Sequence, residues 1–450
     1  MARPPGRTRA TTRPSPWNAR TGRRGPDETR DPGPWSRGKT RFSPRRRLPE
    51  NRPPAPRRSP GDPGPGTRAL NLQRLYNIAD LRSAARKRLP RVIFEFVDGG
   101  AQDEITLRAN SADFARYAFR PRMLTDISER STATTILGAP AAFPVVLAPT
   151  GLAGITHRRG ELPASRAAAA AGVPYCLSCM STCSIEDIAA ASSVTRWFQL
   201  YVLRDRELTR TFIERAKAAG CRALVLTVDT KVQGPRERDM RNGFTVPPRF
   251  SLDTLLDFAL HWRWLLDVGL GPRVTYGNFA GSALSTGEAM TITRFIGGQF
   301  DPSVSYKDLE WFKNAWGGPV AVKGILTGED ARAAVDHGAD AIIVSNHGGR
   351  QLDGAMSSIR ALPEVADAVG DRAEVILDGG VRRGSDIVKA LCLGARACMI
   401  GRAWLYGLAA GGEPGVARSL AILRHEFDLA VALLGRTGVD QLDRSCLAPT

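Results

Sequence analysis

His347 and Arg350 lie three residues apart and carry complementary chemistry. Histidine exchanges a proton near neutral pH, so it can act as a general base. Arginine grips a carboxylate through two parallel hydrogen bonds. Both sit in Ser345-Asn346-His347-Gly348-Gly349-Arg350-Gln351-Leu352-Asp353-Gly354, directly after the apolar run Ala341-Ile342-Ile343-Val344. That run reads as a buried parallel strand. A base and an anion clamp on a glycine-rich loop at a strand end imply an enzyme acting on a small organic acid.

Such a loop needs a scaffold, and the chain has a regular one. Short apolar runs recur at Pro144 to Ala148, Pro174 to Ser178, Trp197 to Tyr201, Ala223 to Asp229, Pro319 to Lys323, Ala341 to Ser345, Val375 to Gly379 and Ala397 to Gly401. Between them lie alanine-rich stretches of helical period, such as Ala164 to Ala171, Glu207 to Ala219, Glu329 to His337 and Ser385 to Leu393. Eight β-then-α units predict an α/β fold, a (β/α)8 TIM barrel over residues 71–450. A doubly wound sheet is the alternative, but no G-x-G-x-x-G follows a first strand. Ahead of the barrel, Asn77 reads as the cap of a helix running to Leu89, with a second helical stretch at 91–98. Barrels of this type place their chemistry at the C-terminal strand ends. Thr150, Ser178, Gln199, Tyr201, Thr227, Asp229, Lys323, His347, Asp378 and Arg402 all fall there.

One connection breaks the rhythm. Residues 230–318 separate the fourth strand from the fifth, and loops that long are functional or mobile. Within it, 251–270 reads as a helix rich in Leu and Trp, with Asp253, Asp257 and His261 as a polar stripe. It packs on a partner or on its own barrel, or it lies on a membrane surface, where Asp253, Asp257 and Asp267 would repel anionic lipid.

The net charge of +18 suggests a nucleic-acid binder, but its distribution argues otherwise. Residues 1–70 hold seventeen Arg and one Lys against five acids, and 15 of the 31 prolines. The barrel region carries only about +5, so no nucleic acid is expected there. The 1–70 segment buries too little apolar surface to offset its ordering entropy and reads as a disordered tail. A tether to an anionic surface or nucleic acid and a targeting peptide are the other readings; a start site assigned too far upstream would make it untranslated. No run of eighteen apolar residues is present. Seven cysteines do not suit a disulfide framework. Cys176, Cys179 and Cys183 are spaced like metal ligands, but Cys176 falls in a strand, and all three read as structural. No metal is expected. His157, His261, His337 and His425 read as structural or exposed.

From about Leu72 onward the chain resembles the FMN-dependent 2-hydroxy acid dehydrogenase/oxidase family. The motifs that carry the likeness are S-N-H-G-G-R-Q-L-D at 345–353, L-D-G-G-V-R-R-G at 377–384, F-Q-L-Y at 198–201 and A-P-T-G at 148–151. The resemblance implies FMN as cofactor and oxidation of an L-2-hydroxy acid, such as L-lactate, to the 2-oxo acid. It implies His347 as the base, Asp229 as its orienting carboxylate, and Arg350 and Arg236 as the clamp on the substrate carboxylate. Tyr201 would bond the substrate hydroxyl, and Lys323 would sit beside the flavin edge where negative charge accumulates. Pro149, Thr150, Gly151, Ser178, Gln199, Thr227 and Ser345 would surround the flavin ring. Asp378 would meet the ribityl chain, and Gly380, Arg382, Gly401 and Arg402 the phosphate. A quinone, a cytochrome or oxygen would take the electrons, and a homotetramer is the expected assembly. The expected location is the cytoplasm, with contact on the inner membrane face as the alternative carried by 251–270.

Two departures bear on specificity. Phe96 stands where the family has a tyrosine on the substrate carboxylate, and Met180 stands where glycolate-preferring members carry tryptophan. Both imply a roomier, more apolar substrate pocket. Gly151, where oxidase members more often have Ala, points to a dehydrogenase. Other FMN- or NAD-using barrel enzymes are the runner-up, and a basic-tail binding protein is the third reading.

Overall fold

The computed structural model describes residues 70–244, 251–279, 298 and 300–448. The expected tail of 1–70 lies outside them, apart from Leu70. Within them, every predicted apolar run is a strand. After a short hairpin of β1 (Thr134–Ile136) and β2 (Ala139–Ala141) come β3 (Val145–Leu147), β4 (Tyr175–Ser178), β5 (Arg196–Tyr201), β6 (Ala223–Thr227), β7 (Val320–Ile325), β8 (Ala341–Val344), β9 (Glu374–Asp378) and β10 (Ala397–Ile400). β3 to β10 pair in parallel, each with its chain neighbour, and β10 closes on β3. The fold is the predicted (β/α)8 barrel.

The period of two along each strand sorts the core. Ile376 of β9 packs inside the barrel with Val146, Trp197, Val225, Ile343 and Met399. Its neighbours Val375 and Leu377 pack outward against the helices. Ile136 of the hairpin joins the inner cluster. Cys176 also lies there, while Cys179 and Cys183 are buried in the outer layer, and all seven thiols are free.

The N-terminal helix Ile78–Arg88 starts where Asn77 Oδ1 accepts the Asp80 amide at 2.9 Å. It stops before Pro90, which opens the helix Arg91–Asp98. The helices Glu161–Ala171, Arg206–Ala218, Gly328–Asp336 and Gly384–Cys392 follow the alanine-rich stretches.

The stretch 251–270 departs from expectation. It is two helices, Leu252–Leu260 and Trp262–Gly269, broken at His261 (φ −93°, ψ 40°). His261 Nδ1 sits 2.7 Å from the Asp257 carbonyl and caps the first helix. The break lets buried Trp264 turn inward, stack on Phe258 and donate its indole N–H to Ile155 O at 2.7 Å. Two of the three aspartates face the protein. Asp257 accepts the Arg91 amide at 2.6 Å, and Asp267 pairs with Arg88 at 3.2 Å and lies 3.7 Å from His157. The outer side exposes Leu252, Leu255, Leu256, Leu260, Trp262, Leu265, Leu266 and Leu270. His337 caps its own helix through Ala333 O, and His425 is exposed.

Candidate active site

The C-terminal strand ends surround one cavity of about 710 Å³, well within the range of roughly 300–1,000 Å³ for small-molecule sites. Phe96, Pro149, Thr150, Gly151, Met180, Gln199, Tyr201, Thr227, Arg236, Lys323, His347, Arg350, Asp378, Gly380, Arg382, Gly401 and Arg402 all line it. Asp229, Ser178 and Ser345 stand behind its wall. Ser178 donates to Gln199 Oε1 at 2.8 Å and so orients that amide.

β8 ends at Val344, and the chain then turns sharply. His347, Gly348 and Gly349 all have positive φ (59°, 65° and 73°). Non-glycine residues are uncommon there, so this backbone is held by its bonds. The His347 amide donates to Ser345 Oγ at 3.0 Å, and the Gly349 amide to Asn346 Oδ1 at 3.0 Å. Asn346 in turn exchanges two 2.8 Å hydrogen bonds with Asn110.

The turn brings His347 Nδ1 to 2.9 Å from Asp229 Oδ1, which also accepts from Thr230 Oγ1 at 2.9 Å. Burial alone would raise the Asp229 carboxyl, but His347, Lys323 and Thr230 hold it below the usual range. Burial pulls His347 below the ordinary imidazole value against the opposing pull of Asp229, with Lys323 and Arg236 adding to the fall. The imidazole is therefore neutral at pH 7. Its Nδ1 proton points at Asp229, leaving Nε2 with a lone pair: a poised base.

Lys323, which also lines the cavity, is 4% exposed. Its Nζ donates to Ser345 Oγ at 2.9 Å and lies 2.8 Å from Asp378 Oδ2. Burial opposes its charge, but Asp378 and Asp229 outweigh that and raise its pKa. Ser345 Oγ donates onward to Asp378 Oδ2 at 2.7 Å. This one hydroxyl thus serves the lysine, the aspartate and the histidine backbone together.

Opposite lie two arginines. Burial and the mutual repulsion of Arg236, Arg402 and Arg350 drive Arg350 well below the usual arginine value, and burial lowers Arg236. Two crowded, half-buried cations favour an anion beside them. Arg350 Nη1 is anchored on the carbonyls of Phe96 and Gly99, at 2.9 and 2.7 Å. The Phe96 ring lies 5.3 Å from the Arg350 guanidinium and 4.9 Å from the Phe244 ring. Tyr201 runs nearly parallel to His347, with ring centres 6.4 Å apart.

The cavity suits a flavin mononucleotide. Thr150 Oγ1, Gln199 Nε2 and Thr227 Oγ1 are buried, line it and have no partner in the protein. They could bond the polar edge of an isoalloxazine. Lys323 adds an ammonium to the same cavity wall. Gly379 and Gly380 follow β9 with φ of 111° and 82°, and a Cβ at Gly380 would strike Asn110 O at 1.9 Å. With Arg382, Gly401 and Arg402 they form the two final loops, where such barrels hold phosphate. Arg402 also braces the site through the carbonyls of Val97, Gly348 and Gly99.

Sequence reasoning missed part of the wall. Gln233, Asp239, Met240, Phe244, Tyr276 and Phe300 also line the cavity. All six belong to the long connection, and nearness to Arg236 was the only available signal for Asp239 and Met240.

A family model, FMN-dependent dehydrogenase, matches residues 85–449. The chain belongs to that family. It is an FMN-dependent 2-hydroxy acid oxidoreductase. An L-lactate dehydrogenase of Caulobacter sp. (strain K31) is 49% identical over 377 residues, which cover 84% of this chain and 99% of that protein. An L-lactate dehydrogenase of Xanthomonas campestris pv. campestris (strain 8004) is 47% identical over 371 residues, covering 82% and 96%. Among solved structures, a monotopic membrane protein, (S)-mandelate dehydrogenase, matches at 40% identity with a TM-score of 0.81, covering 84% of this chain and all of that one.

Proposed function

We propose that the protein oxidises L-lactate and L-2-hydroxy acids with larger apolar side chains to their 2-oxo acids. The observation that carries this reading is the half-buried His347–Asp229 pair, with His347 lining the cavity beside Arg236 and Arg350. Arg350 and Arg236 hold the substrate carboxylate. Tyr201 bonds the substrate hydroxyl. His347 Nε2 takes a proton from the substrate, and Asp229 stabilises the imidazolium that forms. Thr150, Gln199, Thr227 and Lys323 hold the flavin ring, Pro149 and Gly151 flank it, and Ser178 and Ser345 orient its neighbours from behind. Asp378 meets the ribityl chain, and Gly380, Arg382, Gly401 and Arg402 the phosphate. FMN, when bound, accepts the two electrons. Lys323 places a positive charge where negative charge builds up.

Phe96, Phe244, Met180 and Met240 make the wall apolar, which favours side chains beyond the methyl of lactate. A Cβ at Gly151 would come to 3.0 Å from Met180 Cβ, so glycine keeps this side of the cavity open.

Peripheral membrane contact on the inner face is part of the proposal. Eight large apolar side chains of 252–270 face outward, while Asp257 and Asp267 are taken up by the protein. The related (S)-mandelate dehydrogenase, a monotopic membrane protein, supports this. No helix among the described residues is long and apolar enough to cross a membrane. The acceptor is then a quinone within reach of the bilayer, ahead of a cytochrome or oxygen, and the assembly a homotetramer.

Anaerobic L-lactate should bleach the flavin bands of the purified yellow protein, and D-lactate should not. No bleaching by any L-2-hydroxy acid would overturn the reading. Flotation with liposomes should be lost in a Leu256→Glu/Leu260→Glu variant, and unchanged flotation would overturn the membrane assignment. Light scattering tests the tetramer.

A further inference from the structure

The base and half of the anion clamp reach the cavity from different loops. His347 and Arg350 follow β8, whereas Asp229 and Arg236 follow β6 and open the long connection. Something must fix one loop against the other. Helix Glu237–Arg241 is docked at its far side, where Arg238 pairs with Glu104 and Asn242 Nδ2 donates to Glu95 at 2.6 Å. The near side, 229–235, is tied to the Gln102 amide through Pro235 O at 3.0 Å and to Val304 O through Lys231 Nζ at 2.8 Å, and one side chain of the opposite loop makes three further bonds to its backbone.

That side chain is Gln351. Its Nε2 donates to Asp229 O at 2.7 Å and to Val232 O at 2.9 Å. Its Oε1 accepts the Gly234 amide at 3.1 Å. Both amide hydrogens and the carbonyl are used, all on backbone atoms of the facing segment. The two loops touch closely here, since a Cβ at Gly234 would stand 2.5 Å from Arg350 O and 2.7 Å from Gln351 Cα. Gln351 is itself nearly buried and does not line the cavity.

We propose that Gln351 is a positioning residue that sets both Asp229 against His347 and Arg236 against Arg350. It acts through the backbone of the segment bearing Asp229 and Arg236, and touches neither substrate nor cofactor. The inference rests on the functional reading above. It predicts a signature that loss of stability alone would not produce: one change that alters proton transfer and carboxylate binding together, with FMN retained.

The test uses holoenzyme bearing Gln351→Met, which keeps the length and loses all three bonds, and Gln351→Glu. In Gln351→Met, the flavin reduction rate should fall at least tenfold and KM rise several-fold, with FMN content and melting temperature close to wild type. The acid limb of the rate profile should shift, because the Asp229–His347 pair is no longer fixed. Trypsin should cut faster after Lys231, an assay independent of turnover. Gln351→Glu presents acceptors to two carbonyls, and protonation restores one donor. Its activity relative to Gln351→Met should therefore rise as pH falls. Wild-type kinetics and an unshifted acid limb in Gln351→Met would overturn the inference while leaving the function intact. A fall in melting temperature with unchanged kinetics would equally overturn it. Failure of the wild type to be reduced by any 2-hydroxy acid would instead sink the functional reading and this inference with it.

Discussion

Asp229→Asn isolates the electrostatic part of the proposed base. Asp229 and His347 are 2.9 Å apart, with side chains 11% and 22% exposed. At an effective dielectric constant of about 20, a carboxylate and an imidazolium at that distance attract by roughly 6 kcal/mol. The amide keeps the shape and part of the hydrogen bonding, and it escapes the carboxylate's desolvation. The net loss should resemble a broken buried pair, about 3–5 kcal/mol. If all of it falls on the transition state, flavin reduction slows by roughly 100- to 5,000-fold. The pH profile should move in a set direction. Asp229 raises the His347 pKa against burial, so removing its charge lowers that pKa further. The neutral base then persists to lower pH, and the acid limb shifts downward even as the plateau collapses. Anaerobic stopped-flow reduction across pH checks both effects, with FMN content as control because Asp229 does not line the cavity. A loss under about fivefold with an unmoved acid limb would refute the role of Asp229.

Arg350→Lys should raise KM far more than it changes FMN affinity, because lysine keeps the charge but loses the planar fork whose Nη1 is held by Phe96 O and Gly99 O and whose other N–H groups would meet the substrate carboxylate; unchanged steady-state constants would remove Arg350 from the clamp. Phe96→Tyr should favour lactate over 2-hydroxyoctanoate in kcat/KM, since each methylene buried on that wall is worth about 0.8 kcal/mol; an unchanged ratio would mean that Phe96 does not meet the substrate side chain. Lys323→Met should lower the melting temperature and slow flavin reduction together, because Asp378 is left buried without its cation; full stability in a thermal melt would show that the pair is not needed.

The barrel was legible because it is written twice, once as apolar runs and once as the alanine-rich helices between them. The strand-end residues were legible for the same reason, since a polar side chain closing a Val/Ile/Leu run has few places to go. What could not be read was any position set by three-dimensional contact. His261 sits amid leucine and tryptophan that suit a continuous helix, and only the Asp257 carbonyl and the pull of Trp264 toward Ile155 explain the break. Asp257 and Asp267 looked like solvent-facing charge because their partners, Arg91 and Arg88, lie far back in the chain. Ser345 could be placed near the flavin from its motif, but not behind the wall.

Ser345 has a consequence for how this enzyme can change. Its hydroxyl has one proton and two lone pairs, and Asp378, Lys323 and the His347 amide take all three. The cavity-lining Lys323 and the backbone that holds His347 are therefore not separate modules. A substitution at Lys323 or Asp378 leaves the hydroxyl with a free valence, and its rotation changes what the amide of an already left-handed residue can bond to. Effects of paired changes across these positions should depart from additivity. Natural drift or laboratory evolution that retunes the flavin's surroundings would then need compensation on the proton-transfer side. The apolar wall around Phe96 shares no such bond with the hydroxyl and is freer to vary. Substrate range should accordingly diversify sooner than the redox floor.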